Sequence, residues 1–196
     1  MKQHRADFGV ATHNGRLFVF GGKFDDCIDR IMKTSEVYDP ETDTWQDLPP
    51  MPHKRTSSAA VTVDGKIYVM EGFVCDKYVV DPVSSVDIFN VTTWKWEKGP
   101  DMPTPCHQHA AVTIGKFIFV IGGHTHHYEL LSDTLIYDVD KKKWSNSPSM
   151  TTGRYSHIAP TINGKNMVIA GSYDKSGELI SNTAEATTIN FGNTAR

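Results

Sequence analysis

No stretch of this 196-residue chain is apolar for longer than a β-strand, so none is expected to cross a bilayer as a helix. The opening residues, MKQHRADFGV, lack the apolar core of a secretory signal. Cysteine is scarce: three residues, Cys27, Cys75 and Cys106, at unrelated places. An odd, unpatterned set argues against a disulfide framework and for a reducing compartment, so a cytoplasmic location is expected. The sequon Asn90-Val91-Thr92 bears only on a secreted protein, and nothing else points there. Positive charge is not in excess either. Twenty Lys and Arg stand against 23 Asp and Glu, a net charge of −3, which gives no electrostatic case for nucleic acid or an anionic membrane as partner. Helical periodicity is missing over any useful length, as are a nucleophile elbow, a phosphate loop and a His-Glu helix motif.

What is present is repetition. Four segments, Val10–Gly22, Ala60–Gly72, Val112–Gly123 and Ala159–Gly171, share one plan about 50 residues apart. Each has an apolar stretch, a turn signal, an alternating β-branched and aromatic run, and a closing glycine pair or its remnant. The turns read Asn14-Gly15, Asp64-Gly65 and Asn163-Gly164, strong signals for two-residue hairpins, while the copy near Gly115-Lys116 departs from them. The closing positions are Gly21-Gly22, Glu71-Gly72, Gly122-Gly123 and Ala170-Gly171.

Downstream of a polar loop, an aromatic residue and a tryptophan recur seven apart: Tyr38 and Trp45, Phe89 and Trp96, Tyr137 and Trp144. The turn chemistry between them places each pair opposite across a hairpin, with the rings touching. Trp94, two residues before Trp96, is expected on the same strand face. Met51-Pro52, Met102-Pro103 and Met150-Thr151 form the corners that follow. Four antiparallel strands per unit describe a propeller blade. The units run over about 5–54, 55–105, 106–153 and 154–196 within a single domain, 1–196. The last lacks the aromatic and the tryptophan, so Asn182–Arg196 shows no fourth strand of the expected kind. The expected fold is therefore all-β, about four blades with the last incomplete, or an arc of a larger propeller. A second chain or flanking blades would then close the ring.

The glycine pair, the Tyr and Trp seven apart and the Pro/Met corner together resemble the kelch repeat, from Arg5 to about Ile189. The resemblance implies a propeller that most often serves protein interaction, including substrate-recruiting adaptors for ubiquitin ligation and actin-associated scaffolds. It also admits a minority of metal-dependent enzymes of oxidase, epimerase or specifier type. A non-enzymatic interaction module without cofactor is the reading preferred here.

Strand counting puts the hairpin turns on one face. The loops after the glycines and the links entering each first strand lie on the other, which kelch domains use for peptides. Candidate ligand-face residues are Arg5, Arg55, Thr56, His107, Arg154 and Tyr155, joined by Lys23, Phe73, His124 and Ser172. Arg5, Arg55 and Arg154 occupy matching places, with Cys106 in the third copy. A ring of guanidinium groups would suit an acidic peptide, and the alternative role is to tie adjacent blades through backbone carbonyls. His107, His124 and His126 crowd one repeat and are the candidates for a metal, although no fourth ligand is fixed by spacing, and no metal is expected. His109 and His157 match each other on first strands and are assigned to the packed wall.

Overall fold

The structure is a computed structural model that describes residues 1–24, 30–76, 79–125, 127, 129–162, 166–170 and 184–188. Short β-branched and aromatic runs separated by turn residues give strands and no α-helix among these residues. The first blade is β1 (Gly9–His13), β2 (Arg16–Phe20), β3 (Ser35–Asp39) and β4 (Thr44–Leu48), paired in that order. The second is β5 (Ala59–Val63), β6 (Lys66–Met70), β9 (Val86–Asn90) and β10 (Lys95–Lys98), and between its middle strands lies a hairpin of β7 (Phe73–Asp76) and β8 (Val79–Pro82). The third is β11 (Ala110–Ile114), β12 (Phe117–Ile121), β13 (Thr134–Asp138) and β14 (Lys143–Ser147). A fourth sheet holds β15 (Thr161–Ile162), β16 (Asn166–Ala170) and β17 (Ala184–Thr188). The Asn182–Arg196 segment thus contributes a third strand to the last blade, a strand that lacks the aromatic residue of its counterparts.

The turns follow their residues. Asn14-Gly15 and Asp64-Gly65 hold left-handed φ at both positions, 47° and 74°, then 49° and 70°, as a type I′ hairpin requires. At Gly115-Lys116 only the glycine is left-handed, so that turn is of another kind. Asn163 and Gly164 lie outside the described residues. Trp94 is not on the strand as expected. It occupies the turn before β10 at φ 56°, the place held by Asp43 and Lys142 in the neighbouring blades.

The core is made between blades, because each sheet has two apolar faces. Phe18, Phe20 and Val37 of the first blade meet Ile67, Val69 and Phe89 of the second. Tyr68, Met70 and Ile88 meet Ile118, Val120 and Tyr137. Phe119 and Ile121 meet Ala159 and Ile169. The aromatic pairs touch as the seven-residue spacing requires, with ring centroids 5.1 Å apart for Tyr38–Trp45 and 4.9 Å for both Phe89–Trp96 and Tyr137–Trp144. Two of the tryptophans also reach back one blade: Trp96 donates to the carbonyl of Pro49 at 2.9 Å and Trp144 to that of Pro100 at 3.2 Å.

Candidate ligand face

The link entering each blade runs antiparallel to the residue just after its glycine pair. Single bridges join Ala6 to Lys23, Thr56 to Phe73 and His107 to His124. The candidates found by strand counting are therefore brought together in pairs at one end of the blades. Ser172, the counterpart in the fourth, and His126 lie outside the described residues. Lys23 is held by Asp7, 3.0 Å away.

The arginines settle between their two roles. Arg5, Arg55 and Arg154 are buried, none more than 8% exposed. Arg5 donates to the carbonyls of Gly21 and Thr34 and to Glu36 Oε1 at 2.6 Å. Arg55 donates to the carbonyls of Glu71 and Ser85 and to Asp87 Oδ2 at 2.5 Å. Arg154 meets Glu185 Oε1 at 3.2 Å. Each guanidinium lies within its own blade, while the same residue's carbonyl accepts from the preceding blade: Gly22 N–H to Arg55, Gly123 N–H to Arg154. The ties thus join strands through the side chain and blades through the main chain, and the groups are not offered to a ligand. The geometry also explains the first glycine of each pair. A Cβ on Gly21 or Gly122 would lie 2.3 or 2.6 Å from the carbonyl oxygen of Arg55 or Arg154. Thr56, with no exposed surface, is equally withdrawn from the ligand face.

What remains on that face is aromatic. Phe73 of the second blade, His107 and His124 of the third and Tyr155 of the fourth form a continuous run. Ring centroids are 5.2, 3.8 and 5.1 Å apart in sequence. The two histidines are buried inside the run, and Phe73 and Tyr155 are half-buried at its ends. His124 Nε2 bonds Gln108 Oε1 at 2.7 Å, and burial lowers its pKa. His109 and His157 are buried, but each lies before the first strand of its blade, not on it as expected. Burial first, then the neighbouring His157 and His107, takes the pKa of His109 down to about 3. Burial and the Arg154 charge take His157 to about 4.

Two features escaped the sequence reading. Asp7, Ser57, Gln108 and Ser156 all sit at φ between 52° and 55°, two residues after the arginine position. Their main chains join successive blades: Ser57 N–H to Asp7, Gln108 N–H to Ser57 and Ser156 N–H to Gln108. A polar residue at the same place in every copy was the available signal. The second is the β7–β8 hairpin, which starts at Phe73 and extends the second blade's ligand-face loop.

Successive four-stranded antiparallel sheets, cored against one another with first strands side by side, define a β-propeller. The kelch-repeats domain described for KLHDC2/KLHL20/DRC7 matches residues 2–172, and the chain belongs to the kelch-repeat family. It is 33% identical over 135 residues to beta-scruin of Limulus polyphemus, covering 63% of this chain and 14% of that protein. It is also 33% identical to kelch repeat and BTB domain-containing protein 12 of Danio rerio, covering 64% and 23%. The chain thus spans under a quarter of the length of these relatives. The solved structure of YjhT superposes with a TM-score of 0.74 at 19% identity, over 87% of this chain and 60% of that one, a likeness of fold. Among the described residues no helix is long and apolar enough to cross a membrane.

Proposed function

We propose that this chain is a non-enzymatic protein-recognition unit of the cytoplasm that takes an extended partner segment across the second, third and fourth blades. The observation that carries this is the continuous Phe73–His107–His124–Tyr155 run. It offers half-buried rings with a fixed backing, the kind of surface on which a few aromatic anchors supply most of the binding energy. An acidic motif loses its basis once the arginines are spent inside the blades. The run suits an apolar or aromatic side chain on the partner, flanked by polar contacts to Gln108 and the left-handed residues. Likeness to a protein named for kelch repeats and a BTB domain supports the adaptor reading, in which the blades recruit a substrate. An actin-associated scaffold is the alternative.

The test is selection of peptides on the immobilised chain, followed by a Phe73→Ser/Tyr155→Ser variant. Loss of binding by more than about tenfold, with the thermal midpoint held within a few degrees, is expected. Binding that survives the double substitution would remove the run from the site. Cosedimentation with actin filaments that ignores both residues would favour the scaffold.

A further inference from the structure

Two departures of the repeat from its own pattern, Glu71 and Cys106, meet between the second and third blades beside His109, whose place is held by His157 in the fourth. Glu71 stands where the first and third blades have Gly21 and Gly122. Cys106 stands where the other three blades have arginine. His109 stands where the first two have Phe8 and Ser58. The side chains of Glu71 and His109 have no exposed surface, and Cys106 is 2% exposed. The Cys106 thiol donates to Glu71 Oε2 at 2.6 Å, and His109 Nδ1 lies 3.2 Å from the same oxygen. One ligand atom from each residue falls within 4.8 Å of the others.

Blade packing does not call for this set. Two other blades do without a side chain at the Glu71 position, and Glu71 holds φ at 52°, where a side chain is strained. Burying a carboxyl group is costly unless its oxygens are satisfied. One Glu71 oxygen, Oε2, accepts from the Cys106 thiol, whereas Oε1 and both ring nitrogens of His109, like those of His157, make no hydrogen bond. Arg55 gives its protons to the Glu71 carbonyl and to Asp87 instead. His109 Nδ1 and Glu71 Oε2 are close without the alignment of donor and acceptor. That is the relation of two ligands to a shared ion.

We propose that Glu71, Cys106 and His109 form an inter-blade site for a divalent transition ion of the zinc class. A thiolate and an imidazole beside one carboxylate select against magnesium and calcium, which take oxygen ligands. On binding, the Cys106 thiol releases its proton to solvent and the sulfur bonds the metal. The cation favours the ionised carboxyl and thiol that burial alone opposes. Glu71 closes β6 of one blade, whereas Cys106 and His109 enter the next, so the ion staples the two blades together. Full burial keeps the site separate from the ligand face.

Cobalt titration of the chelator-treated full chain tests this. About one equivalent of Co²⁺ per chain should give a thiolate-to-cobalt charge-transfer band that Zn²⁺ displaces. Zn²⁺ should also raise the thermal midpoint. Cys106→Ser should abolish the band, and Cys27→Ser/Cys75→Ser should keep it. Glu71→Gly restores the residue of the first and third blades and so keeps the fold, and it should weaken binding by more than about tenfold. A folded chain without the band overturns the proposal, as does a cobalt spectrum of imidazole character alone, which would put the ion on the loop histidines. A band unmoved by Cys106→Ser or Glu71→Gly overturns it equally.

Discussion

Arg55 carries its charge with no exposed surface and is matched by an equally buried Asp87, which His53 Nδ1 also approaches at 3.1 Å. Removing one partner strands a buried charge, so Arg55→Leu or Asp87→Leu should each cost about 3–5 kcal/mol in denaturant melts. The third blade shows the way out. There the arginine position is Cys106 and the carboxylate position is Leu135, so both charges are gone together. The double variant Arg55→Cys/Asp87→Leu should therefore recover most of the loss. Additive costs would mean that the pair does not act as a unit. The buried histidines set a pH dependence at the same scale. The pKa of His109 is depressed in the fold, to about 3 from the ordinary 6.5, so the unfolded chain takes up the proton first as pH falls. Stability is then full above about pH 6.5 and declines below it, by up to about 1.4 kcal/mol per pH unit per proton. His157, depressed to about 4, acts in the same direction. Glu71, raised by burial, acts in the opposite sense, since the fold holds its proton more tightly. Urea melts of the chelator-treated chain at pH 7 and pH 5 should show a net loss on acidification, and His109→Phe, the residue type of the first blade, should shrink it. An unchanged slope in that variant would take His109 out of the titration.

At the scale of the element, the tryptophans separate by what stands behind them. Trp96 packs on Phe89 and on Phe20 of the preceding blade, centroids 4.9 and 5.7 Å away, and donates to Pro49. Trp96→Ala should cost about 3 kcal/mol or more. Trp45 has its Tyr38 neighbour but no cross-blade bond among the described residues, so Trp45→Ala should cost distinctly less. Equal losses would mean that the cross-blade contacts contribute nothing. These tryptophans were legible in the sequence because a ring pair needs a fixed hairpin length, and fixed lengths survive as spacing. The strand order, the Asx-Gly turns and the bridge pairs were legible for the same reason. The β7–β8 hairpin was not, since no turn signal of the Asn-Gly kind marks it and it occurs in one blade only. The carboxylates Glu36, Asp87 and Glu185 were passed over because they lie inside strands, where alternation makes a polar residue read as solvent-facing. Cys106 and Glu71 stood out singly as irregularities. Only the packing of one blade on the next shows that the two changes occupy the same spot.

For the whole molecule, the repeat says which blade face has no partner sheet among the described residues. The second and third blades each cover their predecessor's Phe18-type face with residues equivalent to Leu17, Val19, Tyr38 and Trp45. In the first blade those residues form a face with no preceding sheet among the described residues to meet it. Trp96 and Trp144 each find a proline carbonyl one blade back, and Trp45 has none among the described residues. Val19 on this face is 1% exposed, while Leu17, Tyr38 and Trp45 are half-buried, and half-covered apolar rings on such a face form an association site. The 196-residue chain alone should accordingly self-associate through this face, or accept further blades there. Light scattering across a concentration series should show the mass rising, and Leu17→Lys/Trp45→Lys should hold it at the monomer value. Fusion to a kelch blade at the N-terminal side should do the same without those substitutions, because the added sheet would supply the missing carbonyl and apolar cover. A wild-type chain that stays monomeric at every concentration, with Trp45 fluorescence already that of a buried ring, would mean that the face is covered from within the chain.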